Sequence, residues 1–180
     1  MRLFLALVLA AYAAGAAAQV PPRYPDVIFV PTPQEVVDRM LELGGVGKGD
    51  VLFDLGSGDG RIPVSAAKRF GIRAVGIDID PERIREANDN AKKNGVTKLV
   101  QFRQENLFNA NFSEATVVTL YLLPDLNVKL RPRLLAELKP GTRIVSHQFD
   151  MGTWKPDRKV ELNGRTIYLW TIPERTSPPR

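Results

Sequence analysis

The segment DLGSGDGR at 54–61 follows an apolar run, Val51 to Leu55, and leads directly into a helical pattern. A strand that ends in a glycine turn and passes into a helix is the opening unit of a parallel α/β sheet, since parallel neighbours require a crossover connection. The same order then repeats. The pattern predicts a helix over 63–70, a strand over 73–78, and a helix capped by Asp80, opened by Pro81 and closed near Asn94-Gly95. Strands follow at 99–103, 116–122 and 143–147, with a helix over 124–138 that Pro132 should kink or split. At the end of the chain, runs at 159–162 and 165–172 flank Asn163-Gly164, a strong short-range hairpin signal. The expected fold is therefore α/β: a Rossmann-like, doubly wound, mostly parallel sheet with a C-terminal antiparallel hairpin.

Ahead of this domain, residues 1–18 read MRLFLALVLAAYAAGAAA, one cation followed by an apolar stretch and small residues. That is the layout of a secretory signal peptide with a cut before Gln19, and the stretch is shorter than the ~20 residues of a membrane span. Export to a periplasmic or secreted location is the expectation, with a cytoplasmic or membrane-associated chain as the alternative. Prolines at 21, 22, 25, 31 and 33 make 19–32 an extended arm. Thr32-Pro33-Gln34-Glu35 reads as a capping box for a helix to about Leu43. One domain then covers 33–172, and 173–180 forms a loose tail.

Composition removes several chemistries. The 180 residues contain no cysteine and one histidine, which excludes disulfides, a catalytic thiol and a zinc cluster, so no metal is expected. Charge is uneven: residues 129–180 hold 11 Lys/Arg against 5 Asp/Glu, and residues 1–128 hold 14 against 15. A basic C-terminal third is either a solvated face or an attraction for an acidic protein or an anionic membrane surface. No long basic run or aromatic-interleaved stripe points to nucleic acid.

The glycine loop carries the chemistry. Gly56, Gly58 and Gly60 let backbone approach a ligand, but Arg61 stands where a dinucleotide fingerprint needs a third glycine. Asp54 at the strand end is suited to a cationic amino group rather than to pyrophosphate. Asp78, 18 residues beyond Gly60, can accept both ribose hydroxyls of an adenosine. Together they describe a ligand with adenosine at one end and an amino acid at the other.

With these motifs the chain resembles the class I S-adenosylmethionine-dependent methyltransferases over residues 25–172. FVPTP at 29–33, DLGSGDGR, GIDIDP at 76–81 and TVVTLYLLP at 116–124 are similar to the ATP synthase c-subunit lysine N-methyltransferase family. The resemblance implies that Asp54, Gly56 and Gly58, with Ser57 and Gly60 in the same loop, hold the methionine moiety. It implies Asp78, followed by Ile79, at the ribose, and Asn106 with Leu107 at the adenine edge. Pro31 and Thr32 would close over the methionine end, and Tyr121 to Pro124 would line a channel for the methyl acceptor, a protein lysine. Asn106 stands where many methyltransferases have aspartate, and LYLLP replaces the more usual Asn/Asp-Pro-Pro-aromatic motif.

Methyl transfer from a sulfonium is an in-line displacement, so placement and desolvation can supply much of the catalysis. Tyr121 is a candidate acceptor-channel residue or a strand residue packed in the core. His147 is a candidate base or a hydrogen-bonded edge residue, and Asp150 and Trp154 shape the acceptor side or anchor their own loop. The leading expectation is an enzyme that N-methylates a protein lysine. A small-molecule methyltransferase and an exported, non-catalytic binding protein are the alternatives.

Overall fold

The structure, a computed structural model, describes residues 28–175; the expected leader and cut site, the first part of the expected arm and the last five residues lie outside the described residues. Among the described residues there are seven strands and four helices. In chain order they are α1 (Gln34–Leu43), β1 (Val51–Leu55), α2 (Arg61–Phe70), β2 (Arg73–Asp78), α3 (Pro81–Lys93) and β3 (Val100–Gln104). Then come β4 (Val117–Leu120), α4 (Pro124–Glu137), β5 (Arg143–His147), β6 (Arg158–Leu162) and β7 (Arg165–Thr171). The strands form one sheet in the order β3-β2-β1-β4-β5-β7-β6, parallel from β3 to β5, with β7 antiparallel to both β5 and β6.

The central strands are apolar on both faces because helices cover both faces. Side chains alternate between them: Leu52, Ala74, Val117, Val145 and Leu169 pack with α1 and α2. Their chain neighbours Phe53, Val75, Val118, Ile144 and Trp170 pack against α4 and Phe112 on the other face. Strand order reverses at β1, which has β2 on one side and β4 on the other. That switch point leaves a crevice outside the C-terminal ends of β1, β2 and β4, where open α/β sheets bind ligands.

Local signals explain most of the boundaries. Asp80 caps α3 through a 2.8 Å bond accepted from the Glu82 N–H. Asn163 and Gly164 have φ of 49° and 74°, the left-handed pair that a two-residue hairpin needs. Two expectations are corrected. Pro132 does not split α4, which runs unbroken from Pro124 to Glu137; Pro132 and Val128 are exposed, so water can take the carbonyl that proline leaves without a partner. The capping box is also absent. Pro33 is the N-cap of α1, with no side-chain bond. Thr32 lies one residue too early and turns its hydroxyl inward to His147, while Glu35 faces solvent.

Much of the basic C-terminal third is engaged within the fold. Arg131 donates to Met151 O at 2.7 Å, Arg143 to Gly44 O and Gly45 O at 2.9 Å each, and Arg175 to Ala136 O at 2.6 Å. Arg143 also pairs with Asp50, at the sheet edge away from the crevice.

Candidate cofactor and methyl-transfer site

The crevice opens into a cavity of about 420 Å³, within the size range of small-molecule sites. β1 delivers Asp54 to its floor, 3% exposed, where the carboxylate accepts a 2.7 Å bond from Thr119 Oγ1 on β4. Burial, opposed by the Thr119 bond and aided by the charges of Asp78 and Asp59, pushes the Asp54 carboxyl up to about 8. A carboxyl so placed is well matched to an incoming ammonium, which restores the charge that burial disfavours.

The glycine loop is pinned rather than free. Gly56 and Ser57 donate their N–H groups to Ile77 O at 2.8 and 2.9 Å. Gly58 donates to Asp78 Oδ2 at 2.8 Å and Asp80 to Asp78 Oδ1 at 3.0 Å. Asp78 thus ties the loop to the turn after β2, and a carboxylate's remaining lone pairs are available to hydroxyls of a ligand. Ser57 Oγ is buried with no partner among the described residues. An orphaned hydroxyl, a buried carboxyl and a glycine cradle fit a ligand with its own polar groups.

The third wall is the loop after β3. Asn106 turns it by accepting the Phe108 N–H at 2.9 Å through Oδ1. Arg133 of α4 clamps it from behind, donating to Leu107 O at 3.3 Å, Phe108 O at 2.6 Å and Ala110 O at 2.9 Å, while Glu137 holds the same guanidinium at 2.6 and 2.7 Å. Sequence reading missed Arg133, because the loop carbonyls it holds lie more than twenty residues away and are backbone atoms. Arg133→Met removes the charged donor from three carbonyls. It is expected to lower cofactor affinity about tenfold, with kcat at saturating cofactor within about twofold, since bonds to charged groups contribute ~1.5–3 kcal/mol. Calorimetric titration with S-adenosylhomocysteine checks this; unchanged affinity would remove the clamp from the site.

The arm supplies the lid side. Ile28, Phe29, Val30 and Thr32 all line the cavity. The Phe29 ring stands so close over Gly58 that a Cβ there would lie 2.1 Å from it, and Arg83 sits 5.0 Å from the ring centroid. Neither Phe29 nor Arg83 was marked by the sequence as a site residue; the FVPTP motif was the available signal for Phe29.

The structure brings Thr32, Asp54, Gly56, Ser57, Asp78, Ile79, Asn106, Leu107 and Tyr121 into the lining of one cavity. Pro31 and Pro124 are exposed beside it, and Gly58 lies beneath Phe29. Gly60 is the N-cap of α2, packed on Phe102 and Ala87. His147 is fully buried behind Tyr121 and does not line the cavity. Asp150 accepts the Gly152 N–H, and the Trp154 carbonyl accepts Trp170 Nε1–H, so both anchor the loop after β5. No group of three or more His, Asp or Glu side chains among the described residues is placed to hold a metal ion.

A sheet of this order, with a glycine loop and an acid at the ends of adjacent strands around a nucleoside-sized cavity, defines a Rossmann-like S-adenosylmethionine-dependent methyltransferase. A crystal structure of an RNA methyltransferase from Salinibacter ruber in complex with S-adenosyl-L-homocysteine matches it with a TM-score of 0.80 and 61% identity, covering 83% of this chain and 98% of that one. Residues 54–158 match the ANTKMT methyltransferase domain, and the chain belongs to that family. A protein-lysine N-methyltransferase of Saccharolobus islandicus (strain REY15A) is 48% identical over 155 residues, covering 83% of this chain and 96% of that protein. The ATP synthase c-subunit lysine N-methyltransferase of Homo sapiens is 29% identical over 142 residues, and the match spans 79% of this chain but only 60% of that protein.

Proposed function

We propose that this methyltransferase transfers the methyl group of S-adenosylmethionine to the side-chain amine of a protein lysine. The observation that carries the proposal is the 48% identity to a protein-lysine N-methyltransferase over 96% of that protein. The geometry supports it. The cofactor supplies an electrophilic methyl on a sulfonium, so the chain has to place an amine, exclude water and let one proton leave. Asp54 and the glycine loop orient the amino-acid end, and the loop held by Arg133 orients the base. Tyr121 and Leu122, where β4 leaves the sheet, wall the remaining side of the cavity. The charged side chains lining the cavity sit on the glycine-loop, ribose and adenine-loop sides, so the wall made by Tyr121 and Leu122 meets the acceptor without a formal charge. Lys139, Lys155 and Arg158 are exposed and would meet an acidic or membrane-bound partner.

A second reading, RNA as the acceptor, draws on the 61% identical chain described as an RNA methyltransferase. Incubation with labelled cofactor and a cell extract separates the two. Label that survives nuclease and maps to lysine supports the proposal; label that is lost with nuclease supports RNA. Tyr121→Ala is expected to reduce turnover by ~10²-fold, the scale of a misplaced acceptor, with cofactor affinity within about threefold. An equal fall in both would make Tyr121 a cofactor residue instead.

A further inference from the structure

At the end of β5 the backbone does something unusual. Gln148 has φ 69°, a left-handed conformation that non-glycine residues seldom adopt outside constrained sites. Its N–H donates to Thr166 O at 2.6 Å, and its side-chain oxygen accepts the Thr166 N–H at 3.3 Å. This corner folds Phe149 back, so that its N–H donates to His147 O at 2.9 Å and its carbonyl accepts Ser146 Oγ–H at 2.7 Å. Asn127 of α4, fully buried, bolts the corner down by donating to Phe149 O and Asp150 O at 3.2 Å each.

Two rings of that corner stand against Tyr121. The His147 and Tyr121 centroids are 4.0 Å apart at 37°, and those of Phe149 and Tyr121 are 6.2 Å apart at 19°. The chain's one histidine also reaches the arm: Nδ1 lies 3.2 Å from Thr32 Oγ1, while Nε2 is buried without a partner among the described residues. A buried ring nitrogen with no partner is unfavourable. Phenylalanine would fill the same space without that penalty, but it could not bond Thr32. The bond is therefore the one thing that distinguishes histidine here.

We infer that His147 is a positioning residue for methyl transfer: bonded to Thr32 and packed against Tyr121, it fixes the acceptor wall relative to the arm that covers the cofactor cavity. The inference rests on the reading of Tyr121 as the acceptor wall. Burial and nearby Arg165 bring the His147 pKa down to about 4, so the ring is neutral and works by shape and one hydrogen bond. Seating of the arm over the cofactor is thereby transmitted to the ring that aims the amine.

The test uses the full chain with Thr32→Val, His147→Phe and the double variant. Thr32→Val removes only the hydroxyl at near-constant shape and guards against a His147 variant that fails to fold. Each single variant should lower kcat about tenfold with cofactor affinity within about threefold, and the double variant should be no worse than either, because both remove one shared link. His147→Gln, which can still bond Thr32, should recover part of the loss. Additive effects, or unchanged kcat, would overturn the inference. A readout free of any acceptor separates it from the lysine proposal: the Tyr121 ring resonances in acceptor-free protein should shift in Thr32→Val. Shifted resonances without lysine labelling would mean that only the acceptor was misassigned. Lysine labelling with unmoved Tyr121 resonances would mean that His147 positions nothing.

Discussion

Asp54→Asn is expected to weaken S-adenosylmethionine binding by ~100-fold or more, while making the unliganded protein more stable above neutral pH. The first effect follows because an ammonium seated against the buried Asp54 loses its countercharge, and breaking a buried pair typically removes 3–5 kcal/mol, on the order of a hundredfold at least. The second follows from the raised carboxyl. Its pKa moves from 3.8 to about 8 on folding, so the folded state holds a proton that the unfolded state has released. The stability contributed by that proton is fully present below pH 3.8 and is lost as pH rises to about 8. Asparagine cannot ionise, and its Oδ1 can still accept the Thr119 hydroxyl. The melting-temperature gap between variant and parent should therefore widen from pH 5 to pH 9, whereas a constant gap would show that Asp54 does not titrate as described. Ligand binding to the parent at pH 7 should release a proton, seen as a dependence of the calorimetric enthalpy on buffer ionisation heat.

Gly60→Ala should destabilise the whole domain by about 2–5 kcal/mol, combining ~1–2 for a left-handed residue with a Cβ and ~1–3 for overpacking. Gly60 has φ +73°, and an added Cβ would lie 2.4 and 2.6 Å from the Phe102 ring and 2.8 Å from Ala87 Cβ. Nothing there can yield cheaply, since the same Phe102 ring also presses on Gly76 of β2. Gly71 and Gly95 also have positive φ but nothing within 4 Å, so alanine at either should lose only the torsional part. Urea midpoints of the three variants check the difference; equal losses would show that backbone conformation alone governs Gly60.

The parallel sheet, its switch point and the hairpin were legible because their causes are local. Apolar runs, glycine turns and Asn163-Gly164 act within a few residues of themselves. Asp54 and Asp78 were legible for a related reason: both lie at strand ends, which in such a sheet face the ligand crevice. Thr32 shows where that reasoning stops. Thr-Pro-Gln-Glu fits a capping box, yet the Thr32 hydroxyl is claimed by His147, 115 residues away. Asn127 and the loop carbonyls held by Arg133 escaped notice for the same reason, since these pairings are set by the fold and leave no spacing to read. Of the kink or split expected at Pro132, the split does not occur. A helix interior tolerates proline when the displaced carbonyl points to water, and sequence alone does not say which side of α4 that is.

The arginines of the C-terminal third alter what the isoelectric point near 9.6 means. Arg131, Arg133, Arg143 and Arg175 all aim guanidinium N–H groups at peptide oxygens of their own chain. A titration counts each as one full positive charge, but a polyanion approaching from outside would find much of that charge already solvated by internal dipoles. Such a partner would meet chiefly the exposed Lys139, Lys155 and Arg158 rather than these four. Lysine at these four positions would keep the charge at neutral pH and give up the forked geometry that secures the loop after β3, the loop after β5, the turn after α1 and the end of α4.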